Sequence, residues 1–418
     1  MKSSKFMRIA KGFFLGFVLL VSLTQCKAPA LEETKQTKSA AGTTLPAAAE
    51  IASPAAPDSG ESNLSAGPDG RVYLTWIESS KETSALKFSV LGDNQTWSAA
   101  STVAEGKNWF VNTADIPSMI ALPDGTLAAH WLADAKPGTE AYNVRLSLSH
   151  DGGKTWSKPV IPHKDRSDNE HGFVSLVATG RSELGVLWLD GNKIKDEEGD
   201  MSLMYTTIRA DGKPGKETLL DGRVCECCQT SAAITPDGVV AVYRDRTDKE
   251  IRDISIARFT KDGWSQPEVL SKDNWQINGC PVNGPSVSTS GTNAAVAWFT
   301  APGDVSQVNV VLSKDGGKTF SSPVRVDSGK PVGRVEVIAQ SSGAALVSWL
   351  EFVDQKAQVR IRQVHPDLSL SDPLIVSGPV KVKFAAVPRM TMSANHVVVT
   401  WVDGDEPAKL RTAMINLN

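Results

Sequence analysis

Several features that common functional classes need are scarce in this chain. Its 418 residues hold five cysteines and four tyrosines, and no tyrosine follows Tyr243. The net charge is only -3, which argues against a nucleic-acid footprint and implies no polyanion partner. Long helical periodicity is absent, which leaves an all-β chain. The cysteine spacing offers no paired C-x-x-C zinc ligands. Apart from the N-terminus, no apolar run approaches the length of a membrane span.

What is present begins with Lys2, Lys5, Arg8 and Lys11, the apolar run Phe13 to Leu23, and Cys26. The run suits a secretory signal (residues 1–25) better than a span. The arrangement resembles the signal and lipobox of bacterial lipoproteins, with Gln25 departing from the usual small residue. The resemblance implies an exported protein, lipid-anchored through Cys26 on the outer-membrane or periplasmic face of the envelope. Residues 26–62, rich in Ala, Pro, Thr, Ser and Glu, read as a disordered tether. A propeller domain is expected over 63–418.

Seven aromatics close seven short apolar runs: Trp76, Trp131, Trp188, Tyr243, Trp298, Trp349 and Trp401, at intervals of 51 to 57 residues. A second series of turn aspartates, Asp93, Asp151, Asp211, Asp262, Asp315 and Asp367, follows in the same register. Asp-Gly-Gly turns such as Ser149 to Trp156 and Ser313 to Phe320 join alternating strands, because glycine supplies positive φ and aspartate binds nearby amides. Each unit therefore reads as a four-stranded antiparallel blade. Radial repetition covers blade faces and edges, so the expected fold is a seven-bladed β-propeller, with six blades plus a hairpin as the alternative. The seventh unit stops one strand short, and a strand from residues 44–54 is expected to close it.

The S-x-D-x-G-x-T-W hairpins resemble the Asp boxes, or BNR repeats, of sialidases. That resemblance implies three substrate-gripping arginines, an acid/base aspartate and a late tyrosine nucleophile. Here Asp115 stands where the first arginine is expected, and the late tyrosine is missing. If catalysis occurs, Asp115, Asp245, Glu250 and Arg252 are the candidates, in an exo-α-sialidase-like glycoside hydrolase with altered residues.

Loops after each aromatic and between blades vary most, and function is expected there. They carry Glu78, Asp134, Asp190, Glu351 and Asp403, together with the ligand-binding candidates Arg244, Arg246, Asp253, His171, Asn283 and Glu336. Carboxylates and arginines at a propeller mouth suit a small polar or glycan ligand bound by a monomer. A protein-binding envelope scaffold is a further alternative. Cys225, Cys227, Cys228 and Cys280 are disulfide candidates, with Cys280 bonded to Cys227 or Cys228 and Cys225 taking the other. A copper-binding thiolate site helped by His171, or a redox-active pair, is the alternative for the same sulfurs. No other cofactor is expected.

Overall fold

The computed structural model describes residues 44–417 apart from 137, 140, 196–198, 355, 378–386 and 405–406. The signal segment and Cys26 lie outside the described residues. Seven antiparallel sheets follow one another along the chain, at residues 60–106, 118–149, 171–224, 231–271, 286–325, 331–375 and 389–416. These are blades 1 to 7. Their innermost strands touch in sequence right round the ring, and Gly60–Ala66 of blade 1 meets Arg389–Ser393 of blade 7. The propeller is seven-bladed.

Each blade buries its second strand most deeply. Trp76, Trp188, Trp298 and Trp349 are fully buried, and Tyr243, Trp131 and Trp401 nearly so. Apolar residues pack between neighbouring sheets: Leu74 and Trp76 of blade 1 share a cluster with Val398 and Leu410 of blade 7. Blade 2 lacks a regular outer strand, its place being taken by Val160, which exchanges both backbone hydrogen bonds with Leu146.

The Asp boxes act as clamps between blades. Ser149 Oγ accepts from the Gly153 amide at 2.9 Å, while Asp151 accepts from the Thr155 amide and from Thr155 Oγ1. Gly153 has φ 87°, and a Cβ there would stand 2.3 Å from Phe88 of blade 1. Trp156 meets Phe88 edge to face. In blade 5 the same bonds recur at Ser313, Asp315 and Thr319, and Arg258 of blade 4 donates to the Gly317 carbonyl.

Of the tether expected over 26–62, residues 26–43 lie outside the described residues, and the remainder is not a free tether, since it holds two strand segments. Ala49–Ile51 pairs antiparallel with the last strand, Lys409–Asn416, and completes blade 7. Asp58 then ties the crossing to blade 1, exchanging backbone and side-chain bonds with Ala408. The Ala-Glu-Ile segment has little apolar pattern of its own; its partner strand's backbone makes it a strand. Deleting residues 1–56 is expected to lower the melting temperature and to leave an unpaired edge that drives self-association, read by calorimetry and size-exclusion chromatography; an unchanged melt and elution would show that closure does not need this strand.

Candidate functional site

Four of the carboxylates that follow the aromatics, Glu78, Asp190, Glu351 and Asp403, have structural partners, Asp403 lying 3.6 Å from Arg411. The indole Nε1 donates to a carboxylate two residues on in three blades: Trp76 to Glu78 at 2.9 Å, Trp188 to Asp190 at 2.6 Å, and Trp349 to Glu351 at 2.5 Å. In blade 5 Trp298 uses Asp273, and in blade 4 the Tyr243 hydroxyl donates to Asp221. A buried indole N–H needs an acceptor, and an acid at i+2 on the same face of the strand supplies it. Glu351 also accepts from the amides of Ser328 and Lys330. Glu351→Ala strands three donors and should cost about 3 kcal/mol or more of stability by chemical denaturation; a loss under about 1 kcal/mol would contradict this role.

Between blades, a polar side chain reaches forward to cap the next. Asp115 Oδ2 accepts from the Phe173 amide at 2.7 Å, Gln229 Oε1 from the Gly284 amide at 3.3 Å, and Asn283 Oδ1 from the Arg334 amide at 2.8 Å. Phe173 and Arg334 both sit at positive φ, in register shifts of the inner strand. A Cβ on Gly172 would stand 2.0 Å from Asp115, and one on Gly333 2.3 Å from Asn283. Asp115, a catalytic candidate by position, is thus a buried latch. Burial pushes its carboxyl up to about 7. A raised carboxyl stabilises the fold below its unfolded value of 3.8 and loses that contribution as pH rises through about 7. Wild-type melting temperature should therefore carry a decline between about pH 4 and 8 that Asp115→Asn lacks; parallel pH profiles would refute it.

The arginines expected to grip a ligand in blade 4 are already engaged. Arg244 is buried, stacks on Trp275, and donates to the carbonyls of Asn283, Arg252 and Phe299. It staples blade 4 to blade 5. Arg252, also buried, donates to Glu226, Glu250 and Cys225 Sγ. Arg246 is held by Glu250 through both Nε and Nη2. Arg223 pairs with Asp200, 3.2 Å away. Asp253 accepts from the amides of Asn274 and Trp275, and Asp245 from the Arg246 amide and Ser255 Oγ. Burial raises the carboxyls of Asp245 and Asp253, whereas the Arg246 bond holds Glu250 below its ordinary range.

Inside this network lie the cysteines. Cys227 is bonded to Cys280, one of the two pairings expected. Cys225 and Cys228 are buried thiols, 3.3 Å apart, rather than a second disulfide. Contact with Cys228, helped by Arg244 and Arg252, brings the Cys225 thiol down to about 7 against the opposing effect of burial. Burial pushes the Cys228 thiol well up. Three sulfurs cluster within 4.8 Å of one another, but Cys227 is committed to its disulfide, which leaves two thiols for a soft metal. His171 is not near them in the bonding pattern: its Nδ1 meets the Tyr142 carbonyl, its Nε2 lies 3.1 Å from Asp165 and 3.7 Å from Asp190, and His163 stacks on its ring. Asp165, His171 and Asp190 form the other set with metal-ligand spacing among the described residues.

A central cavity of about 390 Å³ runs between the seven inner strands. Its wall is rich in hydroxyls, among them Ser65, Ser118, Ser175, Thr230, Ser286 and Ser288. Ionisable side chains reach the wall at two places, Asp115 and the pair Glu336 and Arg389. Arg389 Nη1 donates to Glu336 Oε1 at 2.8 Å, both largely buried, and Arg389 Nε has no partner among the described residues. Burial raises the Glu336 carboxyl. Arg334 lines a small adjoining pocket together with Glu336 and Arg389, and donates to the Val282 carbonyl. Of the sequence candidates, Asp115 and Glu336 line this cavity, whereas Asp245, Glu250 and Arg252 belong to the blade 4 network and do not. Arg389 and Arg334 were not among those candidates. The usable signal was register: Arg389 lies 53 residues beyond Glu336, one blade repeat.

Comparison with known proteins bears on the fold. No protein-family model matches the chain, and no curated protein matches it. Among solved structures, an α-L-arabinofuranosidase mutant from Fusarium graminearum, in complex with an iminosugar inhibitor, aligns at 14% identity over 89% of this chain and 98% of that one, with TM-score 0.51. A protein of unknown function from Dyadobacter fermentans aligns at 13% identity over 86% and 95%, TM-score 0.47. A mutant NanB sialidase from Streptococcus pneumoniae aligns at 14% identity over 85% and 68%, TM-score 0.44. At such identities what is shared is the propeller.

Proposed function

We propose that this is an exported, lipid-anchored propeller that binds a small anionic saccharide in its central cavity. The observation that carries the reading is Arg389, held buried against Glu336 in a hydroxyl-lined space with one donor unused among the described residues. A guanidinium offers a carboxylate two parallel donors, and the serine and threonine hydroxyls can exchange hydrogen bonds with a sugar ring. Because burial already favours the protonated form of Glu336, that acid can take up a proton when a ligand carboxylate claims Arg389. The volume lies near the lower end of the range for small-molecule sites, which suits one or two sugar rings. The sialidase-like Asp boxes support a saccharide over other anions. The signal-like N-terminus and the Cys227–Cys280 disulfide support an oxidising, extracytoplasmic setting.

Calorimetric titration with glucuronate, galacturonate and N-acetylneuraminate, against glucose and galactose, tests the proposal. The acids should bind and the neutral sugars should not, and Arg389→Gln should weaken binding at least about tenfold, or ~1.4 kcal/mol. Equal affinity for neutral sugars, or unchanged affinity in the variant, overturns it. Turnover of aryl sialosides that Glu336→Gln abolishes would establish the hydrolase alternative instead.

A further inference from the structure

The four cysteines lie along a gradient of exposure. Cys225 and Cys228 are buried, Cys227 is half-buried, and Cys280 is exposed. Their sulfurs are contiguous: Cys228 to Cys225 at 3.3 Å, Cys225 to Cys227 at 3.8 Å, and Cys227 bonded to Cys280. Guanidinium groups surround the buried end. Arg252 Nη1 donates to Cys225 Sγ at 3.1 Å, Arg244 acts on both buried thiols, and Arg334 faces Cys228. Glu226 touches the set only through Arg252. A thiolate is the attacking species in disulfide exchange, and this surrounding charge favours one at Cys225.

We infer that Cys225, Cys227, Cys228 and Cys280 form a thiol–disulfide relay carrying two electrons between a buried dithiol and a disulfide in solution. In the first step the Cys225 thiolate attacks Cys227 Sγ. A Cys225–Cys227 bond forms, the Cys227–Cys280 bond breaks, and the electron pair leaves on Cys280, which takes a proton from water. In the second, Cys228 releases its proton and attacks Cys225. A Cys225–Cys228 bond forms and the pair leaves on Cys227, which is protonated in turn. One disulfide has moved inward without any external oxidant. The Cys227 and Cys280 thiols can then reduce an external disulfide to two thiols, re-forming their own bond. The spacing of Cys225 and Cys228 is that of a C-x-x-C pair, and Cys227 between them supplies the link outward.

The test is disulfide mapping of the full chain, treated beforehand with a copper(I) chelator and equilibrated in glutathione buffers of graded potential. After acid quenching, thiols are alkylated and peptides identified by mass spectrometry. Protein with one disulfide should contain both Cys227–Cys280 and Cys225–Cys228 species, and Cys228→Ser should accumulate Cys225–Cys227 with Cys280 alkylated. Finding only Cys227–Cys280 in one-disulfide wild type, with Cys225 and Cys228 both alkylated at every potential, overturns the relay; this arm needs no variant to fold. One equivalent of copper(I) that survives the chelator and shields Cys225 and Cys228 while Cys227–Cys280 persists also overturns it, in favour of a thiolate metal site.

Discussion

Closure of the ring is the constraint on which the rest depends. A twisted four-stranded blade has two apolar faces and covers neither by itself, so each sheet is stable only between two others. The contact between blades 1 and 7 has to be made by segments at opposite ends of the sequence, and it is made twice over. Trp76 and Leu74 pack on Val398 and Leu410 in the core, and Ala49–Ile51 adds the missing strand outside. Asp58 fixes the crossing between those two contacts. With the circle shut, inner strands from distant parts of the chain line one cavity, and Glu336 of blade 6 meets Arg389 of blade 7.

The same constraint accounts for most of the charge at the rim. Loops that turn between buried strands leave indoles, amides and carbonyls without water, and each needs a partner. Glu351 serves one indole and two amides, Asp115 and Asn283 hold the amides of left-handed residues, and Arg244 satisfies three carbonyls. A polar rim can thus be almost wholly structural. What stands apart is the setting of two groups: Arg389 and Glu336 face an open cavity, and the buried thiols Cys225 and Cys228 lie against a disulfide.

The architecture was legible in the sequence because it repeats. Aromatics and turn aspartates in one register located all seven blades, and the shortfall of the last unit pointed to a borrowed strand. The extent of the tether was not, since Ala49–Ile51 becomes a strand through its partner's backbone. Site roles were less legible for a related reason. Whether Glu78 or Asp190 is catalytic or an indole acceptor depends on what its side chain touches, although the recurring Trp-x-acid pattern held that answer. Arg389 escaped notice because it begins a regular strand, and Arg334 because its irregular, positive-φ place within a strand carries no signal in the sequence. For the cysteines, the outer pairing was within the expected alternatives, whereas the two inner thiols are separated only by burial and the neighbouring guanidinium groups.

The closing strand also has a mechanical meaning. Within the described residues, a pull from the N-terminal side meets first Leu45 and Ala48, packed on the core of blades 6 and 7, and then Ala49–Ile51, where three residue pairs, with Glu50 bridged to Arg411, carry the load. Every other blade is built from consecutive chain and is loaded only after this one. Tension from the N-terminal side would therefore strip the outermost strand of blade 7 before disturbing any other blade, while the inner strand that carries Arg389, at the opposite edge of that sheet, is still in place.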